Sequence, residues 1–208
     1  AHEIKNPLTP IQLIIDRMKT KYSNQVNENE KQNFDDNLKI INNQIKQIGN
    51  LVNEFSDFAR MPKPILKENN LIQIIQDNIK LLKELDNTIN ISINCNQKEV
   101  SLNSDKEQLA RVFFNLIKNS IESIQQRAEK VTNLMKKITI EVNEENNHII
   151  INIIDNGIGF KIFAANIKDI LNPYFTTKKN GTGLGLSIVS KIINDHNGNI
   201  EFIPLDEG

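Results

Sequence analysis

Phe34, Leu38, Ile41, Ile45, Ile48, Val52, Phe55 and Ala59 recur in alternating steps of four and three. That spacing keeps them on one stripe of an α-helix, whereas a strand would scatter them over both faces. The stripe is the a/d seam of a helix that packs nearly parallel to others. Upstream, Ile4, Leu8, Ile11, Ile15, Met18 and Tyr22 trace a shorter amphipathic helix, and the polar run Ser23 to Glu30 separates the two. An antiparallel helical hairpin is the expected result. A hairpin encloses too little to close its own core, so its seam needs a partner. Either a second copy completes a four-helix bundle or the rest of the same chain covers it, and a homodimer through the hairpin is the expectation. Met61-Pro62-Lys63-Pro64 ends the second helix, because proline cannot continue it and restricts the residue before it. The domain boundary is placed there, giving 1–62 and 63–208.

The remainder reads as α/β, so the whole is α+β. A helix is expected from Leu71 to Leu85, then a strand around Ile89, Ile91 and Ile93, then a helix from Asp105 to Arg127. Lys137–Val142 and His148–Ile154 alternate as strands around a turn at Glu144–Asn147. An irregular segment covers about 160–181. A last helix runs from Leu184 to His196 and stops at Asn197-Gly198, and Ile200-Glu201-Phe202 begins a last strand.

Composition narrows the function classes. Lys and Arg number 25 against 26 Asp and Glu, a net charge of −1. That balance argues against a nucleic-acid or anionic-membrane binder driven by bulk electrostatics. No apolar run approaches the roughly 18 residues a membrane span needs, and the first residues carry no apolar core of a secretory signal. Cys95 is the only cysteine, so no internal disulfide is available and a reducing, cytoplasmic setting is expected. No Cys/His cluster has zinc-ligand spacing.

Three constellations could carry chemistry. Asp155-Asn156-Gly157-Ile158-Gly159 follows a strand of isoleucines; a carboxylate there can accept from an exocyclic amine, and glycines let a flat base approach. Alone, it reads equally well as a tight turn. Gly181-Thr182-Gly183-Leu184-Gly185-Leu186-Ser187 opens the last helix, where backbone N–H groups make an anion site or merely a flexible cap. A Rossmann reading fails for want of a following βαβ unit, and a Walker loop fails because no Gly-Lys-Ser/Thr follows. Asn115-Leu116-Ile117-Lys118-Asn119 puts two amides on one helix face, as hard oxygen ligands or as ordinary polar residues in an Asn-rich chain.

In this order, the pattern resembles the ATP-binding domain of sensor histidine kinases and their relatives in the GHKL superfamily, a two-layer α/β sandwich. Asn115–Asn119 corresponds to the N box, Asp155–Gly159 to the G1 box, Pro173–Lys178 to the F box and Gly181–Leu186 to the G2 box. His2-Glu3-Ile4-Lys5-Asn6-Pro7-Leu8-Thr9-Pro10-Ile11 is similar to an H box. With Phe55–Pro64, its wording resembles nitrogen-regulation sensor kinases of the NtrY-like type, and the resemblance covers nearly the whole chain.

The resemblance implies ATP and Mg²⁺ as cofactors. Asp155 would hold adenine N6, with Gly157 and Gly159 beside it, while Asn115 and Asn119 hold Mg²⁺ and Lys118 lies in the same box. Segment 160–181 would be a lid. Gly181, Gly183 and Gly185 would offer N–H groups to the phosphates, with Thr182, Leu184 and Leu186 completing their segment. Thr177 and Lys178 would lie near the terminal phosphates. His2 would attack the γ-phosphoryl group, Glu3 would take or orient its other proton, and Asn6 would position water on an aspartyl phosphate of a response regulator. ATPases of the superfamily usually carry glutamate at position 115, and an amide there cannot act as a general base. The family's helix extends upstream of His2 and its sheet has one more strand, so a core truncated at both ends is expected. Its parent would be membrane-anchored with this part in the cytoplasm. Asn172 and Glu122 also depart from the family's usual residues. The alternatives are a GHKL-type ATPase and a non-catalytic dimerisation or regulator-docking remnant.

Two local readings stay open. The helix through Pro7 and Pro10 either continues with a bend or starts afresh with Thr9 as N-cap, Pro10 at the first position and Gln12 in a capping box. His148 near a hairpin tip, His196 at a helix C-terminus, where a cation suits the dipole, and Cys95 read as structural.

Overall fold

A computed structural model describes residues 6–23, 25–84, 86–159, 167–176, 178 and 181–205. The chain divides into two compact units, residues 1–62 with 178–184 and residues 63–177 with 185–208. His2, Glu3 and Thr177 lie outside the described residues.

In the first unit, α1 (Leu8–Tyr22) and α2 (Glu28–Ala59) form the hairpin. Ser23 Oγ reaches Asp35 near the start of α2, while Leu8 lies 4.0 Å from a Cβ built on Gly49, so the helices run antiparallel. α1 begins at Leu8 with Pro7 at the cap position, which corrects the reading of Thr9 as N-cap. Pro10 then falls third in the helix, still among the first N–H positions that have no intrahelical partner, so the ring is tolerated there.

The seam of α2 divides into two rows. Leu38, Ile45 and Val52, seven residues apart, are buried; Leu38 and Ile45 cluster with Ile15 of α1, and Leu8 and Phe34 pack on them. Ile41, Ile48 and Phe55 form the second row and remain 45%, 44% and 47% exposed. α1 packs on the first of these rows at Leu38 and Ile45, and the adjoining row stays open among the described residues.

In the second unit, β2 (Asn90–Cys95) lies parallel to β4 (Lys137–Glu145), and β4 pairs antiparallel with β5 (His148–Asp155). β4 and β5 join through Asn146 and Asn147, both at positive φ (49° and 63°), the backbone of a type I′ turn. A separate ribbon pairs β1 (Lys67–Asn70) with β3 (Ser101–Ser104) antiparallel. The helices are α3 (Leu71–Lys83), α4 (Lys106–Ala128) and α5 (Gly185–Asp195). The apolar faces of α3 (Leu71, Ile74, Ile75) and α4 (Phe113, Ile117, Ile121) pack on Ile138, Ile140 and Val142 of β4, forming the core. Period-2 alternation sends Ile149, Ile151 and Ile153 of β5 to the same side.

Residues 200–202 form no strand, contrary to the alternation there. Among the described residues β5 pairs only with β4, and without ladder hydrogen bonds an alternating segment is not a strand. Cys95 is a free, half-buried thiol packed on the core. Among the described residues no helix is long and apolar enough to cross a membrane.

Candidate functional site

The strand register decides where Asp155 faces. Asp155 pairs with Ile138, whose side chain lies in the core, and it continues the row Ile149, Ile151, Ile153. A carboxylate thus stands at the end of an apolar row, turned toward the helices, where it needs hydrogen-bond partners. Ser120 of α4 donates its hydroxyl to Oδ2 at 2.9 Å, and the Gly157 N–H donates to Oδ1 at 2.9 Å.

The turn after Asp155 is held from both sides. Asn156 Oδ1 accepts from the Lys137 N–H at 3.0 Å, and its Nδ2 donates to the Met135 carbonyl, fixing the turn to the start of β4. From α4, Arg127 Nη1 donates to the carbonyls of Asn156 (2.9 Å) and Gly157 (3.2 Å), and Ser123 Oγ accepts from the Ile158 N–H at 3.1 Å. Gly157 is buried against Ser123, and Gly159 takes φ 69°, a left-handed backbone that favours glycine.

Asn115, Asn119, Ser123 and Arg127 recur every fourth residue, one ridge along α4. Asn115 Nδ2 donates to the Arg111 carbonyl at 2.9 Å, which turns Oδ1 outward. That oxygen lies 3.4 Å from a Cβ built on Gly185, the first residue of α5. Lys118 pairs with Glu122 at 3.9 Å and lies over the Phe114 ring. Asn115, Asn119, Asp155, Gly157, Gly159, Gly185 and Leu186 all belong to the second unit, where Asn115 lies against Gly185 and Asp155 holds the Gly157 N–H. Gly181, Thr182, Gly183, Leu184 and Lys178 belong to the first unit. There Thr182 donates its hydroxyl to Glu54 of α2 and accepts from the Leu184 N–H at 3.4 Å, and Gly183 has φ 70°. Asn6 is exposed just before α1.

The start of α4 is fixed as firmly as its site face. Asp105 caps it, accepting from the N–H groups of Glu107 and Gln108 at 3.1 Å each and from Ile65 at 2.9 Å. Burial raises the Asp105 pKa, but these N–H donors outweigh it and hold the carboxyl below its ordinary value. The Asp105 N–H donates to His196 Nε2 at 3.0 Å, while Nδ1 faces the Ile192 carbonyl at 2.8 Å. A backbone N–H only donates, so this pattern puts the ring proton on Nδ1. His196 thus ties the end of α5 to the start of α4 through both ring nitrogens.

No sequence motif singles out Ser120, Ser123 or Arg127. Their signal was the four-residue spacing from Asn119 and the position beside it, visible only once Asp155 is known to face α4.

Residues 104–208, half of the chain, match the family model described as histidine kinase-, DNA gyrase B-, and HSP90-like ATPase. The chain belongs to this family. Residues 1–64 match a second model, the His Kinase A (phospho-acceptor) domain, so this ATPase-family chain carries both domains of a histidine kinase. It is 36% identical to nitrogen regulation protein NtrY of Azorhizobium caulinodans, over all of this chain and 26% of that protein. It is 34% identical to a putative sensor histidine kinase NtrY-like of Rickettsia bellii, over all of this chain and 32% of that one. The chain thus spans about a quarter to a third of the length of these relatives. Among solved structures, histidine kinase ThkA in complex with response regulator protein TrrA is similar at a TM-score of 0.63 and 26% identity, covering 95% of this chain and 53% of that one. The ThkA catalytic domain alone gives 0.52 and 27%, covering 64% and 82%.

Proposed function

We propose that the chain is the core of a sensor histidine kinase, moving the γ-phosphoryl group of ATP to His2 and from there to an aspartate of a response regulator. The observation that carries this reading is the meeting of three elements in one unit: Asp155 bonded to Ser120, the residue after Asn119, and Asn115 against Gly185. A carboxylate offers acceptors to the exocyclic amine of adenine and repels a carbonyl at the same place. The start of α5 supplies N–H groups to phosphate oxygens, and Gly181, Gly183 and Gly185 let the backbone come close.

The amide set fits Mg²⁺. With Nδ2 of Asn115 spent on the Arg111 carbonyl, the atom it presents is a hard oxygen, and Asn119 follows one turn later. Bound there, the ion would neutralise charge on the phosphates. Lys118, Thr177 and Lys178 are assigned to the phosphate tail as supporting cations and donors.

Phosphoryl transfer asks mainly for positioning. One nitrogen of neutral His2 forms the N–P bond as the bond from γ-phosphorus to its bridging oxygen breaks and ADP leaves. The proton on the other nitrogen passes toward Glu3. The aspartate of a response regulator then takes the phosphoryl group, the N–P bond breaking as the acyl phosphate forms, and Asn6 positions water for its later hydrolysis. Asn115 cannot act as a general base, which favours transfer over direct hydrolysis of ATP. The partner reading is supported by ThkA, a relative solved with its response regulator. The open row Ile41, Ile48, Phe55 supports a homodimer through the hairpin. The full-length protein is proposed to be membrane-anchored, with this part in the cytoplasm.

Incubation with γ-labelled ATP and Mg²⁺ tests the reading. The chain should acquire an acid-labile, base-stable label that His2→Gln lacks. Equal labelling of both, or steady hydrolysis with no protein-bound label, overturns it.

A further inference from the structure

Ser120 is 6% exposed and has no apolar role to explain it, since its neighbours Ile117, Ile121 and Ile124 already fill the face of α4 toward the sheet. Its hydroxyl is committed to Asp155 Oδ2 at 2.9 Å. The other oxygen of Asp155 is committed to the Gly157 N–H at 2.9 Å. Both oxygens therefore hold one donor each, and the carboxylate plane is fixed by the two bonds together. Rotation about the Cβ–Cγ bond would break both. The turn that supplies one of these donors is itself tied to α4 by Arg127 and Ser123.

We propose that Ser120 is a specificity-determining positioning residue: it orients Asp155 so that a remaining Oδ lone pair points at the 6-amino group of a purine. The proposal rests on the reading of Asp155 as the adenine-binding carboxylate and deepens it. An aspartate held through one oxygen only has a rotor left, and it satisfies itself with water as readily as with the base. Held through both, it presents an acceptor where the amine arrives, and the ordering is complete before the nucleotide binds. Hydrogen bonds to a charged acceptor are the strong class, so the serine's contribution is measurable. A purely structural serine would affect all nucleotides alike, whereas a positioning serine affects only those bearing the amine.

The test is a double-mutant cycle on the full chain, with one change in the protein and one in the ligand. Dissociation constants are measured for ADP and for purine riboside diphosphate, which lacks the 6-amino group, with Mg²⁺ in both cases. Ser120→Ala should weaken ADP by about tenfold, equivalent to ~1.4 kcal/mol, and leave the deamino analogue within twofold. Asp155→Asn serves as the control for the underlying reading and should abolish the preference for ADP. Loss of preference in Asp155→Asn with none in Ser120→Ala overturns the positioning role alone. An unchanged preference in both variants overturns the adenine reading of Asp155, and the proposal with it. Equal weakening of both ligands by Ser120→Ala makes the serine structural and also overturns the proposal. Should Ser120→Ala fail to fold, Ser120→Thr keeps the hydroxyl, and its expected result is an unchanged ADP preference; a lost preference there counts against the proposal.

Discussion

Gly157 shows how little room the site leaves for a side chain. A Cβ at that position would stand 2.0 Å from Ser123 Oγ, 2.6 Å from Ser123 Cβ and 2.8 Å from Asp155 Oδ1. Gly157→Ala should therefore displace the turn from α4, costing about 1–3 kcal/mol of stability and weakening nucleotide binding, as read by urea unfolding and by ADP titration. Trimming the hydroxyl alone should not restore it, because the Cβ of Ser123 remains in the way. Recovery in Gly157→Ala/Ser123→Ala would put the whole clash on the Ser123 hydroxyl and none on its Cβ. At this scale the sequence was legible where chemistry is rare: an Asp-x-Gly-x-Gly turn after a run of isoleucines, and glycines spaced by two before a helix. Ser120, Ser123 and Arg127 were illegible because serine and arginine on a helix carry no signal of their own. Only the register that turns Asp155 toward α4 gives them a role.

At the scale of elements, α4 from its apolar face and β5 from alternation were readable within a residue, while α2 starts at Glu28, inside the run read as a polar connection, and β4 runs three residues past Val142 into the expected turn. β1 and β3 were not readable, because Lys-Glu-Asn-Asn and Ser-Leu-Asn-Ser are short and polar and become strands only by pairing with each other. Where elements join, charge does work that periodicity does not reveal. Asp86, between α3 and β2, accepts from the Thr88 hydroxyl at 2.6 Å and the Gln125 amide at 3.0 Å, and these two bonds lower its pKa most. Burial opposes them, the Thr88 N–H and Lys136 at 3.6 Å add to them, and the carboxyl falls from 3.8 to about 2. A folded pKa below the unfolded one means stability that is complete above about pH 4 and is lost as pH falls from there toward about 2. Asp86→Asn should lower stability at pH 7 by about 2 kcal/mol, and that gap should narrow as pH drops through the same window. Chemical unfolding at stepped pH reads it directly. A gap that stays constant from pH 7 into the acid window means the Asp86 charge is not what ties this corner to α4.

The whole molecule poses a question of uncovered surface. α2 carries two apolar rows; α1 packs on Leu38 and Ile45 of one, while Ile41, Ile48 and Phe55 of the other stay nearly half exposed. Leaving Ile41, Ile48 and Phe55 nearly half exposed forgoes about half of what full burial is worth, about 1 kcal/mol for each side chain. In a two-fold symmetric pair each of these residues is buried twice, once on either chain, which makes a short interface strong. The two rows thus have different jobs, and substitutions one step apart should separate them. Ile48→Glu places a charge on the open row; it should convert the chain to a monomer in sedimentation equilibrium while helical content and ADP binding stay near wild type. Ile45→Glu places the same charge inside the hairpin, where it has no partner, and should cost helical signal as well as association. If Ile48→Glu still sediments as a dimer, the open row is not the contact between copies. The association would then have to run through the exposed apolar residues of α1, Ile11, Leu13, Ile14 and Met18, and Ile14→Glu would be the variant that breaks it.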